Sequence, residues 1–119
     1  METIILILQS LIAFIFIFSG INKFYFDAKT LVKKGQTGVD GLPTWLIKFI
    51  AVSEIFGAIG IILPSILGHH LILIPISAIC LGGIMIPAAL IHFKRNEPKN
   101  ILINCIILIF CLIVSFFRM

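Results

Sequence analysis

Lys23, Glu54 and His92 are the residues of this 119-residue chain best suited to chemistry. Each lies within or at the edge of a long apolar run, with Asn22 and Asn104 as polar companions. An ammonium, a carboxylate and an imidazole withdrawn from water can hold or relay a proton, and can hydrogen-bond a carbonyl oxygen. Glu54 makes the strongest demand on its surroundings, because it sits in the middle of the apolar stretch from Trp45 to Pro64. A charge at mid-bilayer costs a few kcal/mol, roughly 2.5 to 3.5 for an aspartate on insertion scales, so it faces other helices and finds a partner. Ala51, Ser53, Gly57, Ala58 and Gly60 around it are all small, which lets a neighbouring backbone come close on that side.

The elements that must position these residues are transmembrane helices. The composition is 61% hydrophobic and 12% charged, and the mean hydropathy is +1.23, which excludes an ordinary soluble domain. Apolar runs near the roughly 20 residues that span a bilayer occur at 4–26, 44–63, 67–93 and 101–117. The runs are continuous rather than alternating, which excludes a membrane barrel. The expected fold is an all-α integral membrane four-helix bundle, a single domain over 1–119, with up-down topology and both termini on the same side. The first run is longer than the apolar core of a secretory signal, and Glu2 stands where a basic residue is expected, so it reads as a retained helix.

Charge placement gives the expected orientation. Lys29, Lys33 and Lys34 lie between the first two runs, and Lys94, Arg95 and Lys99 between the last two. By the positive-inside rule both basic loops are cytoplasmic in the cell membrane, and both termini lie outside with the 63–70 turn. The net charge of +4 is thus a topology signal, and nucleic acid is not an expected partner. Cys80, Cys105 and Cys111 form no C-x-x-C pair and read as small packing residues. His69 and His70 are adjacent, point about 100° apart and have no nearby carboxylate or thiol, so no metal site is expected.

Helical periodicity sorts the faces. Gln9, Ala13, Phe16, Gly20 and Lys23 share one face of the first helix, and Ala78, Gly82, Met85, Ala89 and His92 share one face of the third. Gly20, Gly57, Gly60 and Gly82 are the expected helix-packing positions. Lys23 can be read as snorkelling to the headgroups or as facing the bundle, and His92 as continuing the small-residue face or as an interfacial cap. Side-chain tilt points Lys23 and Glu54 toward each other, but their depths differ by about 10 Å at 1.5 Å per residue. Contact then requires both to extend, or a water or third polar group between them. Asn104, about two turns into the last helix, is expected to make an interhelical hydrogen bond. The long connection at 27–43 opens with a short surface helix. Its Gly35, Gly38 and Gly41 favour a linker over a lid. Pro64 is expected to end the second helix, and Pro87 to kink the third.

Asn22, Lys23, Glu54, His92 and Asn104 thus converge on the basic half of the bundle as a ligand-binding or ion-pair cluster. Ser19-Gly20-Ile21-Asn22-Lys23-Phe24, Gly41-Leu42-Pro43, Glu54-Ile55-Phe56-Gly57-Ala58-Ile59-Gly60 and Pro87-Ala88-Ala89-Leu90-Ile91-His92 appear in that order. Together they resemble the DoxX-like membrane family, in which Gly20, Lys23, Glu54, Gly57 and His92 match characteristic positions. The resemblance implies a link to membrane redox complexes, since the family takes its name from a subunit linked to an archaeal quinol oxidase and thiosulfate:quinone oxidoreductase. Animal relatives in the broader group are chaperones for nicotinic receptors, so fold alone does not choose the function.

Two expectations follow. One is an accessory subunit of a membrane redox complex that binds a quinone or similar lipophilic molecule, with Lys23 or His92 donating to a carbonyl and Glu54 holding or relaying a proton. No haem, flavin, metal or dithiol motif is evident, nor a complete catalytic motif, so electrons would come from a membrane-protein partner. The alternative is an assembly factor or chaperone-like subunit with a purely structural polar cluster, acting on a partner or as a homo-oligomer. A cavity that reaches Glu54 favours the first, and a closed pair favours the second.

Overall fold

The computed structural model describes residues 2–118. Four long apolar helices carry the chain: α1 (Glu2–Tyr25), α3 (Thr44–Leu67), α4 (Leu73–Lys94) and α5 (Pro98–Arg118), with the short α2 (Ala28–Lys33) and a 3-10 turn at Thr37–Val39 between the first two. Local chemistry sets their ends. The carboxylate of Asp27 caps α2 by accepting from the Thr30 amide at 2.8 Å, Pro43 precedes α3, and Pro98 occupies the first turn of α5, where its missing N–H costs nothing. The long helices alternate in direction as an up-down bundle. The guanidinium of Arg118 lies 2.7 Å from the Glu2 carboxylate, which joins the last helix to the first and puts both described ends at one end of the bundle.

Helix ends differ from the hydropathy boundaries. α3 does not stop at Pro64 but runs to Leu67, where Gly68 adopts a left-handed conformation (φ 79°) and its amide bonds the Pro64 carbonyl. α4 then begins at Leu73 rather than 67, so the turn is residues 68–72 and includes the exposed His69 and His70. A proline inside a spanning helix is tolerated when a neighbour hydrogen-bonds the loosened turn. Gln9, fully buried on α1, bonds the neighbouring groups of this turn, donating to the Ile61 carbonyl at 2.6 Å and to the Ser65 hydroxyl at 3.0 Å. Pro75 falls in the first turn of α4, and α4 continues through Pro87.

α1 packs chiefly on α3 and α4 on α5. The two pairs join through α3 and α4, while α1 and α5 touch sparsely. Ile12, Phe16, Ile61, Leu81, Met85 and Val114 belong to the common core, whereas Phe14, Phe18, Phe56, Phe93 and Phe116 face outward to lipid. Cys111 packs in that core, but Cys80 and Cys105 lie on the exposed surface and do not act as packing residues. Close approach depends on the glycines. A Cβ on Gly20 would stand 2.9 Å from the Ala51 carbonyl oxygen, one on Gly57 2.6 Å from Leu81, and one on Gly60 would collide with the Ser77 hydroxyl. One on Gly82 would stand 3.0 Å from Leu108.

The connection at 27–43 is packed rather than loose. Leu31, Val39 and Ile47 form a second small core with Phe26, Ala28 and Leu42. The glycines at 35 and 41 take positive φ (96° and 84°) and turn the chain back over the bundle end. A clasp at the α4–α5 turn then holds it. The Thr37 hydroxyl donates to Glu97 Oε1 at 2.6 Å, His92 Nδ1 lies 2.9 Å from the same oxygen, and Arg95 pairs with both Glu97 and Asp40. These contacts, led by the Thr37 and His92 hydrogen bonds, hold the Glu97 carboxyl down to about 2 from an ordinary 4.5.

Two outcomes test this architecture. Gly20→Ala pushes a methyl into backbone that cannot step aside, and should cost about 1–3 kcal/mol of unfolding stability in detergent. Gly83→Ala meets nothing within 4 Å and should be neutral or stabilising. Because the folded-state value for Glu97 is depressed, its support for the clasp is complete above 4.5 and is lost as pH falls through about 2. Amide protection factors over residues 35–41 should therefore hold steady down to the ordinary carboxylate range and decline below it. Glu97→Gln should remove that decline, and an unchanged acid response in this variant would assign it to other groups.

Candidate functional site

The site is built where α1 and α3 come closest. Gly20 lets the two backbones approach at Ala51, so Lys23 and Glu54 meet directly with no bridging group. Lys23 Nζ lies 3.0 Å from Oε1 and 3.1 Å from Oε2 of Glu54. The depth difference read from the sequence is spanned by the opposed tilt of the two side chains and by this short interhelical distance. Glu54 is wholly buried, and the Lys23 side chain is 12% exposed, so the lysine faces the bundle and does not snorkel. Ser19, one turn before Lys23 on the same face, donates to Glu54 Oε1 at 3.1 Å. Ser19 is legible in hindsight from its i, i+4 relation to Lys23.

Beside this pair lies a cavity of about 340 Å³ between α1 and α5, where those helices pack least. Phe16, Met85, Ala88 and Ile107 give it apolar walls, and Ser19, Lys23, Glu54, His92, Asn100 and Asn104 supply polar groups. Gly35, Gln36 and Gly38 from the clasped loop lie along it at the basic end. Phe14 and Phe18, which are 71% and 61% exposed on the outer face of α1, form part of its rim, so it opens sideways toward hydrocarbon.

His92 is buried and belongs to both the clasp and the cavity. The Thr37 hydroxyl gives its proton to Glu97, so His92 Nδ1 carries a proton and donates to the same carboxylate. Its other ring nitrogen lies toward Gly38, where a Cβ would come within 3.1 Å of it. Asn104 is 9% exposed, and its amide nitrogen has no hydrogen-bond partner among the described residues, contrary to the interhelical bond expected of it. Asn104 is one of the residues that line the cavity.

Asn22 does not join the cluster. It donates to the Phe18 carbonyl of its own helix at 3.0 Å and does not line the cavity. The sequence reading missed Ser19, Gln36, Thr37, Glu97 and Asn100. Thr37 and Glu97 are 60 residues apart and carry no local signal for their contact.

The family model described as the DoxX-like family matches residues 7–114, a span that includes every residue of the ion pair and the cavity. No curated protein and no solved structure matches the chain. With that match covering nearly its whole length, and with four spanning helices closed around a Lys23–Glu54 pair, the chain belongs to the DoxX-like family.

Proposed function

We propose that this protein binds a small lipophilic molecule with a polar head, a quinone-type ring fitting best, in the cavity between α1 and α5, as an accessory subunit of a membrane redox complex. The observation that carries this reading is the cavity itself, which reaches the buried pair and is bordered by an unpartnered asparagine amide. A buried polar group without a partner costs stability, about 1–3 kcal/mol, and is kept where a ligand supplies what is missing. The volume lies near the lower end of the usual range for small-molecule sites and suits a single ring. The sideways opening at Phe14 and Phe18 suits a molecule that arrives from the bilayer with an apolar tail left in lipid.

In this reading the polar groups have separate tasks. Lys23, Glu54 and Ser19 satisfy one another and fix the α1–α3 register, while Asn104 and His92 face the ligand. Any electrons pass to or from a partner subunit docked in the membrane, and the lysine-rich loops face the cytoplasm of the cell membrane. The self-satisfied pair also supports a second reading, an assembly factor whose polar cluster is structural, because a closed ion pair needs no ligand.

Stability and binding separate the two. Asn104→Leu removes the orphan amide, so the unliganded protein should melt at the wild-type temperature or above it. Native mass spectrometry should show wild type, gently extracted, carrying a small lipophilic molecule that this variant has lost. An empty wild-type protein, or a variant that is simply less stable, would favour the structural reading. Lys23→Met alone should cost about 3–5 kcal/mol by leaving Glu54 buried and unpaired, and adding Glu54→Leu should recover most of that loss.

A further inference from the structure

If the first cavity holds a ring, as proposed above, a second cavity beside it defines what that ring carries. We infer that the ligand has apolar arms on opposite sides of its polar ring: a long one that leaves through the α1–α5 seam into lipid, and a shorter one lodged between α3 and α4.

The second cavity, of about 230 Å³, lies on the opposite seam of the bundle beneath the same loop. Leu46, Phe49 and Ile50 of α3 and Ile84, Pro87 and Ile91 of α4 form its walls. Lys23, Gly38 and Ala88 complete it, and these three also line the first cavity, so the two meet there. They obstruct little. Gly38 has no side chain, Ala88 has a methyl group, and the Lys23 stem is unbranched. α1 and α4 stand diagonally in the bundle and pack too sparsely to close the space between the two seams.

Chemistry narrows the occupant to hydrocarbon. A water molecule needs about two to four polar partners to stay in a cavity. Among the described residues that line this one, Lys23 alone has a polar side chain, and Glu54 holds its ammonium at 3.0 Å. A charged or hydrogen-bonding group would find no free counterpart there. Bilayer chains can approach at Phe49, which is 65% exposed, but hydrocarbon gains little by exchanging lipid for an equally apolar chamber, and it loses freedom by doing so. A chain tethered to a ring already seated in the first cavity has lost most of that freedom, and its effective concentration at the chamber is high. The second cavity therefore favours an arm of the ligand over bulk lipid. Selection acts through shape, by where on the ring the second arm is attached.

The test compares three fully substituted benzoquinones on the purified full chain in detergent. One carries a decyl chain and three methyl groups. The other two are isomers in which a butyl group replaces one methyl, either across the ring from the decyl chain or beside it, so that they partition alike into the micelle. Affinities are read from the shift of the unfolding midpoint with probe concentration. On wild type the across-ring isomer should bind about tenfold more tightly than the adjacent one. Ile50→Phe and, separately, Leu46→Phe fill the chamber from α3, and each should erase that difference while the trimethyl compound binds as it does to wild type. The isomer comparison on wild type needs no variant to fold. Isomers that bind alike on wild type, or a difference that survives in both variants, would overturn the second arm, and binding of the trimethyl compound would still leave the first cavity as a ligand site. Failure of all three to bind would overturn both readings.

Discussion

Everything in this bundle depends on holding one carboxylate in hydrocarbon. Glu54 has no exposure at all in the middle of the membrane-spanning α3, so its charge must be answered by protein. Lys23 and Ser19 answer it from α1, which is possible only because Gly20 removes the side chain that would keep the two backbones apart. The interaction adds little net stability compared with a well-packed apolar pair, but it tolerates only one register. A slide of α1 along α3 by a single turn would separate Lys23 from Glu54 and drive a helix carbonyl against a new side chain. The pair and the glycine therefore specify the same alignment by independent means, one electrostatic and one steric.

That alignment leaves the two halves of the bundle unequal. Toward the described termini, Ile12, Ile61, Ile74 and Val114 are fully buried, Gln9 bonds α3, and Arg118 reaches both Gln9 and Glu2, although its Nη2 has no partner among the described residues. Toward the basic loops, small residues such as Ala88 and Gly38 leave volume unfilled, and Asn104 and Gln36, which line it, each keep one buried amide atom without a partner among the described residues. A sequence under selection for stability alone would fill that space with leucine.

The four spans and the glycine faces were legible because both are local patterns: length of apolar run in one case, small residues at helical spacing in the other. Gly20, Gly57, Gly60 and Gly82 lie at close contacts with neighbouring elements. Pro64 was misleading because a proline inside a packed spanning helix need not end it: α3 runs on to Leu67 and stops at the left-handed Gly68. Asn22 was drawn into the cluster by its neighbour Lys23. One residue is about 100° of rotation, however, and that was enough to send its amide to the Phe18 carbonyl instead. The loop was misread for a related reason. Glycine content suggested looseness, but Gly35 and Gly41 serve as fixed turns, and the contacts that fasten the segment come from Glu97 and Arg95 far along the chain.

The clasp in turn determines how the cavity can be reached. Glu97 stays ionised far below neutral pH, so its bonds to Thr37, His92 and Arg95 persist across the physiological range, and residues 35–38 remain against the basic end of the cavity. The same contacts hold His92 with one nitrogen committed and the other turned toward Gly38, so the roof of the cavity and the orientation of its imidazole are a single structural unit. On the side away from the loop the rim includes the outward-facing Phe14 and Phe18, so a seam between α1 and α5 lies open toward lipid. A molecule that uses that seam must already be dissolved in the bilayer. Its head must leave hydrocarbon for a polar niche without crossing water, which is the partition behaviour of a neutral amphiphile rather than of a charged metabolite.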